Sequence, residues 1–552
     1  MVLESDYSAT VLAYHARTMH RMERYAAGPE TLDWDAQPAP FRRYAGARSY
    51  ALPLLSEADL AAGVLTQAFS SSEIAPRAEW TLARLGALLQ VSFGITAWKS
   101  YGPDRWAVRA NPSSGNLHPI EAYVITSQLA GLEDGVYHYD PEAHALELRA
   151  SWRQPPGAQA AAPALYIALS SVMWREAWKY GERAFRYCQL DAGHAVGAVT
   201  IAAAALGAQV RADLTAAHAT LTSLLGLDRD QDYPRSRKPE HEREEAELLL
   251  QFDLNSRHSR LPQLEELTFY GVASLIDPRP MYQWPVIDEV AQATRAQTER
   301  DHYAAQTSTE APQLLPTDAT PATSAPPVHS VLLGRRSAQR FDNEHVASLE
   351  DLVALLAPLM PNTRGPWAGL STTPGIDLIL FIHRVAGLEP GLYYLPRRGA
   401  HSQTLSEQLA ADFKPQALPN VDPSVPLLRL AAIEPKQLMR LARALHCHQD
   451  IAASGCFALG MLAEFSPRVT QSPASYRDLF REAGLIGQLL YLHAEARGLR
   501  GTGIGCYFDG AVHELLGLRD TRHQSLYHFT VGRAIEDARI ETAPAYPTAP
   551  RT

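Results

Sequence analysis

Residues 109–119 read RANPSSGNLHP and stand directly before an apolar run, EAYVITSQLA, at residues 121–130. The run contains the β-branched and aromatic residues that favour a strand. Proline and glycine bend the backbone ahead of it, while two serines and an asparagine offer donors and acceptors at short reach. The stretch therefore predicts a loop that can hold the polar edge of a ring or a polyol chain. The same composition also fits an ordinary polar turn before a strand.

The strand after this loop begins a pattern that occurs twice in the chain. Residues 131–139, GLEDGVYHY, follow the first apolar run, and residues 387–394, GLEPGLYY, follow a second run, IDLILFIHRVA, at 376–386. Each copy indicates a strand, a turn and another strand.

A second match lies further along the chain, in the same order. Asp-Ala-Gly at 191–193 and Glu-Ala-Gly at 482–484 each open an apolar helical pattern, which closes 14 residues after that glycine at Gly207 and Gly498 respectively. Glycine just past an apolar helix is a common stop. Ala-rich helices resemble one another, but two matches in one order predict an internal repeat. Two similar units in one chain can pack face to face, as the subunits of a homodimer do.

A stretch rich in Pro, Thr and Ala, TSTEAPQLLPTDATPATSAPPV at 307–328, shows no hydrophobic period and predicts a semi-extended linker. The second half is the longer one, with 93 residues from Gly391 to Gly484 against 58 from Gly135 to Gly193. This difference predicts an insertion that covers a helical stretch around 432–462. The predicted division of the chain is an N-terminal extension at 1–49, a first half at 50–255, a connecting segment with the linker at 256–328, a second half at 329–540 and a tail at 541–552.

Composition narrows the class of protein. Of the 552 residues, 46 % are hydrophobic and 20 % are charged, which is the profile of an ordinary soluble globular protein. The net charge is −10 and no basic tract occurs, so nucleic acid and anionic membranes are poor partners. The four cysteines form no CxxC pair, which favours a reducing compartment. The N-terminus lacks the apolar core of a signal peptide, and the longest small-apolar run, 196–208, is too short to span a bilayer and indicates a buried helix. We therefore expect a cytoplasmic protein.

Two arginine-containing stretches of the second half are candidates for binding a phosphate. One is GRRSAQRF at 334–341, and the other is YHFTVGR at 527–533. A phosphate needs cationic forks and hydroxyl or backbone donors, which these stretches supply if the fold brings them together. Taken singly, an Arg-Arg-Ser run is more often the solvated start of a helix.

Lys179 and Tyr180 are adjacent in the stretch WREAWKYGER at 174–183. If they are buried they can share a proton, and a desolvated lysine can titrate near neutral pH, which would make it a general base. The alternative is a surface amphipathic segment with snorkelling basic side chains.

Together these motifs resemble the FMN site of the nitroreductase superfamily, over residues 50–540. The resemblance implies an α+β fold in which two nitroreductase-like halves form an intrachain pseudo-dimer that holds FMN between them. In that family a basic residue often stands two positions after the serine, where this chain has Gln339 and then Arg340. The residues that the resemblance assigns to the cofactor are Arg109, Pro112, Ser113, Ser114, Asn116, Arg335, Arg336, Ser337, Gln339, Gly501, Gly503, Ile504, Gly505 and Arg533.

The reciprocal cofactor site is predicted to be lost. The loop at residues 109–119 is called the serine loop. The second half has LSTTPG at 370–375 in its place, and the first half has FRRYA at 41–45 in place of the Arg-Arg-Ser start. The presumed last strand of the first half, ELLLQF at 247–252, lacks the Gly-Arg ending. We therefore expect one FMN per chain.

Within the superfamily the sequence is most similar to the SagB-type dehydrogenases, which oxidise azoline rings of peptides to azoles. Their Lys-Tyr pair matches Lys179 and Tyr180, whereas the second half has Thr470 and Gln471 at the aligned place. The resemblance implies that Lys179, assisted by Tyr180, removes a ring proton while hydride passes to flavin N5, on a small-molecule or modified-peptide substrate. An NAD(P)H-dependent nitro or quinone reductase, and a non-catalytic flavin-binding scaffold of a peptide-modifying complex, are the alternatives.

Two further features of the sequence are a His-Cys-His cluster and the N-terminal residues. The cluster His446-Cys447-His448 lacks a second ligand pair, so we expect no metal site and place it on a helical surface. Residues 1–40 carry Tyr, His and Arg and the stretch LDWD at 32–35. They either pack on the core or recognise a substrate, and the sequence does not distinguish the two.

Overall fold

The computed structural model describes residues 2–152, 163–254, 261, 267–296, 325–362, 365–370 and 372–546. Most of the predicted linker, and residues 547–552 of the predicted tail, lie outside the described residues.

The helices of the described residues gather into a buried centre and a more exposed periphery. In chain order they are α1 (Val2–Arg17), α2 (Glu57–Ala61), α3 (Leu82–Ser92), α4 (Met173–Tyr180), α5 (Ala184–Ala205), α6 (His218–Leu225), α7 (Pro285–Ala293), α8 (Val328–Gly334), α9 (Leu349–Leu356), α10 (Gln403–Asp412), α11 (Pro435–Leu445), α12 (Ile451–Ser454), α13 (Ser466–Gln471), α14 (Ser475–Ala496) and α15 (Asp509–Leu515).

The strands pair antiparallel in each described sheet. They are β1 (Tyr44–Ala45), β2 (Ser49–Ala51), β3 (Ile95–Tyr101), β4 (Asp104–Arg109), β5 (Ile120–Ser127), β6 (Gly135–Asp140), β7 (Ala145–Ser151), β8 (Ala164–Ser171), β9 (Gln209–Ala212), β10 (Glu245–Asp253), β11 (Thr268–Phe269), β12 (Val272–Ala273), β13 (Ile376–Ile382), β14 (Gly391–Leu395), β15 (Gln416–Ala417), β16 (Leu428–Ala432), β17 (Phe457–Glu464), β18 (Arg500–Ile504), β19 (His523–Gly532) and β20 (Glu541–Ala543).

Two large sheets share the order of six strands and differ in the chain position of the edge strand, β11 or β15. The first runs β11-β7-β6-β5-β8-β10-β9, with β2 beside β7, and the second runs β15-β16-β14-β13-β17-β19-β18. The apolar runs that the sequence marks as strands are β5 and β13, which are buried along their whole length. The α+β class is confirmed, and the shared order supports the predicted repeat.

The two longest helices, α5 and α14, cross at the glycines of the second sequence match. A Cβ built on Gly193 would lie 2.1 Å from the carbonyl oxygen of Arg481, and one built on Gly484 would lie 2.0 Å from that of Leu190. Each of those carbonyls stands three residues before the opposite glycine, so the contact is the same from both sides. This symmetry supports the predicted face-to-face packing of two halves. None of the helices among the described residues is long and apolar enough to cross a bilayer.

The insertion in the second half differs from the expectation. Its extra elements lie on both sides of β16, with α10 and β15 before it and α11 and α12 after it. Residues 457–462, at the end of the stretch expected to be helical, belong to strand β17 (Phe457–Glu464), because they are buried between β13 and β19 in the middle of the sheet. The placement of residues 446–448 on a helical surface is also wrong for His446, which is fully buried and pairs with His528 at 2.7 Å.

Candidate functional site

The serine loop lies between β4 and β5 and is fixed to α5. The backbone N–H of Ser114 donates to the buried carboxylate of Asp191 at 3.1 Å, and the Ser114 hydroxyl donates to the same group at 3.2 Å. Ser113 accepts the backbone N–H of His118 at 2.8 Å, and the Asn116 amide donates to the carbonyl of Ala107 at 3.0 Å. These bonds hold the loop in one shape next to the central helix.

Lys179 and Tyr180 end α4 and lie against this loop. Gly115 has a φ of +60°, and a Cβ built on it would lie 2.5 Å from the Tyr180 hydroxyl and 3.1 Å from Lys179 Nζ. Both polar groups therefore reach the loop where only a glycine leaves room for them. The alternative of a surface segment with snorkelling side chains is wrong for α4, because its residues 174–178 are buried.

The surroundings change the acidity of both groups. Burial lowers the pKa of Lys179 from its usual value, and the neighbouring Glu176 carboxyl opposes that shift. Burial also raises the pKa of Tyr180 well above its usual value, and Glu176 adds to the rise. At neutral pH the tyrosine thus keeps its proton, while the lysine loses its proton more readily than a lysine in water.

The second half contributes Ser337 and the glycine-rich strand β18. Ser337 forms a parallel bridge with Gly501, and its hydroxyl lies 3.0 Å from the hydroxyl of Tyr491. The Tyr491 hydroxyl also accepts the backbone N–H of Gly503 at 2.9 Å. The start of the second half and its glycine-rich strand thus form one surface.

Two glycines of this segment allow close contacts with tyrosines. A Cβ on Gly503 would lie 1.7 Å from the Tyr527 hydroxyl, and a Cβ on Gly505 would lie 2.2 Å from the ring of Tyr187. The ring of Tyr187 in turn packs on Tyr180, with centroids 4.6 Å apart. The glycine-rich segment and the Lys-Tyr pair are therefore two sides of one site, joined through Tyr187.

Arg335 connects the second half to the serine loop. Its Nε donates to the carbonyl of Ala110 at 2.9 Å and one terminal nitrogen donates to that of Arg109 at 3.0 Å. The remaining terminal nitrogen, Nη1, is buried and has no partner in the described residues, and the same holds for Nε of Arg109. Burial lowers the pKa of each guanidinium to about 10. Neither cation forms an ion pair within 4 Å among the described residues, as expected of residues beside an anionic or polar ligand.

Arg336 lies near two basic residues, Lys99 and Arg500, that the sequence pattern did not identify. Burial lowers the pKa of Lys99, and the positive charge of Arg336 lowers it further. Burial also lowers the pKa of Arg336, with Arg500 adding to the shift and Glu495 opposing it. Lys99 and Arg500 were missed because each is an isolated basic residue in a strand, and only the pairing of β3 with β4 and of β18 with β19 sets their positions.

Three of the predicted cofactor residues have other surroundings than expected. The Arg109 side chain donates to the carbonyl of Pro40 and lies over the ring of Phe41. Gln339 is exposed, and Arg533 is exposed with only its carbonyl engaged, by the N–H of Asp342 at 2.8 Å. The guanidinium of Arg533 has no hydrogen-bond partner among the described residues. Ile504 is buried in β18, and Pro112 is buried within the loop.

The equivalent surface of the first half is filled by side chains. Its strand β9 carries Val210 and Ala212 where β18 carries Gly501 and Gly503. The Glu247 carboxylate binds Arg477 at 2.8 Å and Arg481 at 2.7 Å, all three buried. Glu482, which occupies in α14 the position of Asp191 in α5, binds Arg397 at 3.0 Å. These contacts support the prediction of a single site.

The N-terminal extension forms a wall of the site. The Trp34 ring lies 5.5 Å from Lys179 Nζ and is 60 % exposed. The N-terminal extension reaches Lys179 because it passes close to Gly181, which has a φ of +56° and no side chain to block the backbone of Ala27 and Gly28. The N–H of Glu182 donates to the carbonyl of Ala27 at 3.0 Å and holds the extension there. Of the two alternatives for residues 1–40, packing on the core is observed, and Trp34 is also open to a ligand.

Known proteins resemble this chain in two ways. Residues 104–233, which include the serine loop and the Lys-Tyr pair, match the model of the nitroreductase family. Over the whole chain the fold is that of a candidate nitroreductase from Anabaena variabilis, with a TM-score of 0.65, 21 % identity, and coverage of 95 % of this chain and 99 % of that one.

Two curated relatives match about a quarter of the chain each. One is a candidate nitroreductase of Methanocaldococcus jannaschii, 30 % identical over 135 residues, which is 23 % of this chain and 65 % of the relative. The other is the trifolitoxin-processing protein of Rhizobium leguminosarum bv. trifolii, 31 % identical over 133 residues, 22 % of this chain and 36 % of the relative. The chain thus spans less than two thirds of the length of either relative.

Proposed function

We propose that the chain is an FMN-dependent oxidoreductase of the SagB type, which oxidises azoline rings in modified peptides. The observation that carries the proposal is the approach of Lys179 Nζ and the Tyr180 hydroxyl to Gly115. It joins a desolvated lysine to the loop that the resemblance assigns to the flavin. The glycine-rich segment of the second half lies on the other side of the same site, where Gly505 packs against the ring of Tyr187.

The residues present fit FMN. Arg335 and Arg109 carry buried donors that lack a partner among the described residues, and Arg336 and Lys99 add positive charge for a phosphate, whereas Arg500 is paired with Glu495 and Glu536. The Ser113 hydroxyl accepts one backbone N–H, and its own proton can be donated to the polyol chain or the ring edge. When bound, FMN supplies the hydride acceptor for the oxidation.

The chain itself supplies the base. Lys179, as a neutral amine, takes the proton from the ring carbon next to the one that loses hydride. Tyr180 keeps its proton because its pKa is raised, so it can donate a hydrogen bond to the substrate or to Lys179. Trp34 and Tyr187 line the space around Lys179 and Tyr180.

The partner we propose is a complex that modifies peptides. The relative that processes trifolitoxin supports this context, although the match covers 22 % of this chain and 36 % of that relative. The resemblance of the Lys-Tyr pair to the SagB-type dehydrogenases supports the same context.

Lys179→Ala tests the proposed base. We expect the oxidation of an azoline-containing peptide to fall by about 100-fold to 10,000-fold, the usual contribution of a general base. The oxidation is followed by the loss of two mass units, with Lys414→Ala as a control at an exposed lysine outside the site. Bound FMN is measured in each variant, so that loss of the cofactor is separated from loss of the base. Full activity of the Lys179→Ala variant would contradict the proposal.

A nitro or quinone reductase is the second candidate, and the relative from Methanocaldococcus jannaschii favours it. That function predicts steady turnover of NADH with a nitroarene, unaffected by Lys179→Ala. A non-catalytic scaffold predicts instead that neither an azoline peptide nor NAD(P)H bleaches the flavin absorbance.

A further inference from the structure

Cys447 and Cys506 form a pair of free, half-exposed thiols at the edge of the candidate site, which we call the thiol pair. Cys447 lies in the turn after α11, and Cys506 directly follows the glycine-rich segment. Two hydrogen bonds join these parts of the chain. The backbone N–H of Phe508 donates to the carbonyl of Leu445 at 2.8 Å, and the Gln449 amide donates to the carbonyl of Cys506 at 3.1 Å. The thiol pair is therefore held together by the fold, although its members are far apart in the sequence.

The backbone at Cys447 has an unusual conformation. Cys447 has a φ of +52°, and the next residue, His448, has a φ of +61°. Residues other than glycine rarely adopt this left-handed region, and they persist there only where the surrounding structure holds them. The Gln449 amide holds this turn, because it donates to the carbonyl of His446 as well as to that of Cys506, each at 3.1 Å. Strained residues of this kind cluster at functional sites.

Hydrogen bonds connect the two thiols with each other and with the N-terminal extension. The Cys447 thiol donates to the sulfur of Cys506, and the ring of His20 is hydrogen-bonded to that same sulfur. Nδ1 of His20 accepts the backbone N–H of Ala26 at 2.9 Å, so the neutral ring carries its proton on Nε2 and donates from there. Burial lowers the pKa of His20, which keeps the ring neutral. Tyr25 is hydrogen-bonded to Cys447.

A cation is fixed one residue before Cys506. The Arg183 guanidinium donates to the carbonyl of Gly505 at 3.1 Å and to the Asp509 carboxylate at 3.2 Å. The charged and titratable groups that face the thiol pair belong to the N-terminal extension, to α4 and α5 with the turn between them, and to α15. They are His20, Tyr25, Tyr180, Arg183, Tyr187 and Asp509.

These contacts give the two thiols opposite acidities. The hydrogen bond from Cys447 lowers the pKa of Cys506 to about 5, His20 and Arg183 lower it further, and burial opposes the shift. The same hydrogen bond, and after it burial, raise the pKa of Cys447. At neutral pH Cys506 is therefore a thiolate and Cys447 is a thiol. A half-exposed thiolate beside a cation is the form of cysteine that reacts with disulfides.

We propose that Cys447 and Cys506 are a redox-active pair, which a low-molecular-weight disulfide oxidises to a disulfide within the chain. The Cys506 thiolate attacks one sulfur of the external disulfide, whose other sulfur leaves as a thiolate. Cys447 then gives its proton to that thiolate and attacks the Cys506 sulfur, which releases the second external sulfur as a thiolate. The pair thus loses two electrons and one proton, and the external disulfide becomes one thiol and one thiolate.

The second step is possible because the first one changes the acidity of Cys447. The largest cause of its raised pKa is the hydrogen bond to Cys506, and this cause disappears once the Cys506 sulfur is bonded. The new disulfide joins the insertion of the second half to the glycine-rich segment. It also removes a negative charge beside Tyr180 and Tyr187. Neither Lys179 nor a bound cofactor takes part, so the reaction is independent of the proposed function.

Treatment of the folded full chain with glutathione disulfide tests the pair. We expect the intact mass to fall by about two mass units and peptide mapping without reduction to show a Cys447–Cys506 cross-link. Dithiothreitol should restore both thiols. Cys188 and Cys456 are buried and serve as internal controls that stay unmodified. A chain that keeps both thiols, or that forms only mixed disulfides with glutathione, would overturn the proposal.

Single variants separate the attacking cysteine from the resolving one. Cys447→Ser should stop at a mixed disulfide of Cys506 with glutathione, because no second thiol is present to release it. At about pH 6, Cys506→Ser should react at Cys447 about tenfold more slowly than Cys447→Ser reacts at Cys506. An ordinary thiol is so little ionised at this pH that its greater nucleophilicity does not compensate. Equal rates in the two variants would contradict the assigned roles and overturn the proposal.

The pH dependence of alkylation gives a readout that a purely structural pair would not show. Alkylation of Cys506 by iodoacetamide should reach half of its maximal rate at least one pH unit below about 8.5, the usual value of a free cysteine. His20→Phe keeps a ring but removes the donor, so the midpoint should rise by roughly one unit. If that variant does not fold, Cys447→Ala removes the other donor and should raise the midpoint in the same way. A wild-type midpoint at the usual value would overturn the proposal.

Discussion

At the scale of single residues, the site depends on glycines that admit polar groups. Gly115 admits Lys179 and Tyr180, and Gly503 admits the hydroxyl of Tyr527. In both places the neighbouring atom belongs to an element far away in the sequence. The sequence marks these glycines as part of a motif, but it does not identify the side chain that each one accommodates.

Gly503→Ala should damage the site because its Cβ would lie 1.7 Å from the Tyr527 hydroxyl. We expect a loss of unfolding free energy of about 1–3 kcal/mol, the usual cost of overpacking, together with weaker binding of FMN. Thermal unfolding and the visible flavin absorbance measure the two effects.

The matched control for that variant is Gly510→Ala in α15, where a Cβ meets nothing within 4 Å. Helix propensity predicts that it is neutral or stabilising. The double variant Gly503→Ala/Tyr527→Phe removes the hydroxyl and should recover part of the loss. If Gly503→Ala behaves like Gly510→Ala, the described contact with Tyr527 is wrong.

At the scale of elements, α5 and α14 hold the two sheets together. Each helix has 22 residues, and their glycines let the backbones touch. The carboxylates two residues before those glycines have matching roles, since Asp191 accepts the N–H of Ser114 and Glu482 accepts the N–H of Gly375 at 2.6 Å. Each helix thus also fixes the loop that precedes the central strand of its own half.

Gly484→Ala tests the crossing of the helices. The added Cβ would lie 2.0 Å from the Leu190 carbonyl, so α5 and α14 must move apart. We expect a loss of about 1–3 kcal/mol in unfolding free energy, measured by denaturant titration. Gly334→Ala, at the end of α8 with its nearest atom at 3.4 Å, is the control and should change stability little. Equal stability of the two variants would be inconsistent with a close crossing.

At the scale of the whole molecule, the two halves share a strand order but differ at the site. β18 keeps glycines where β9 has Val210 and Ala212, and the first-half surface contains the Glu247–Arg477–Arg481 network. A chain with two related halves can lose one of two equivalent sites once each half mutates independently.

The asymmetry predicts one FMN per chain. The purified protein should show a flavin-to-protein ratio near one by visible absorbance, after loading with excess FMN and gel filtration. Arg336→Ala should weaken binding and raise the Kd by about tenfold or more, because it removes a cation expected at the phosphate. A ratio near two, or a chain that takes up no FMN, would contradict the proposed site.

The sequence alone determined the class of fold, the strands at the start of each repeat and the glycine pair of the central helices. These are local signals, since periodicity, turn residues and glycine stops act within short stretches of chain. The sequence also predicted that the serine loop, Arg-Arg-Ser and Lys-Tyr motifs belong to one site, and in the structure Lys179, Tyr180 and Arg335 reach the loop.

Only the tertiary structure decided which side chains meet. It brought Arg500 and Lys99 near Arg336, turned Arg109 towards Pro40, and buried Glu176 beside Lys179 without a hydrogen bond. It also placed Trp34 over Lys179. Such contacts join residues that are distant in sequence, or depend on which face of a helix is covered. Burial and long-range packing set them, and neither is encoded in the order of neighbouring residues.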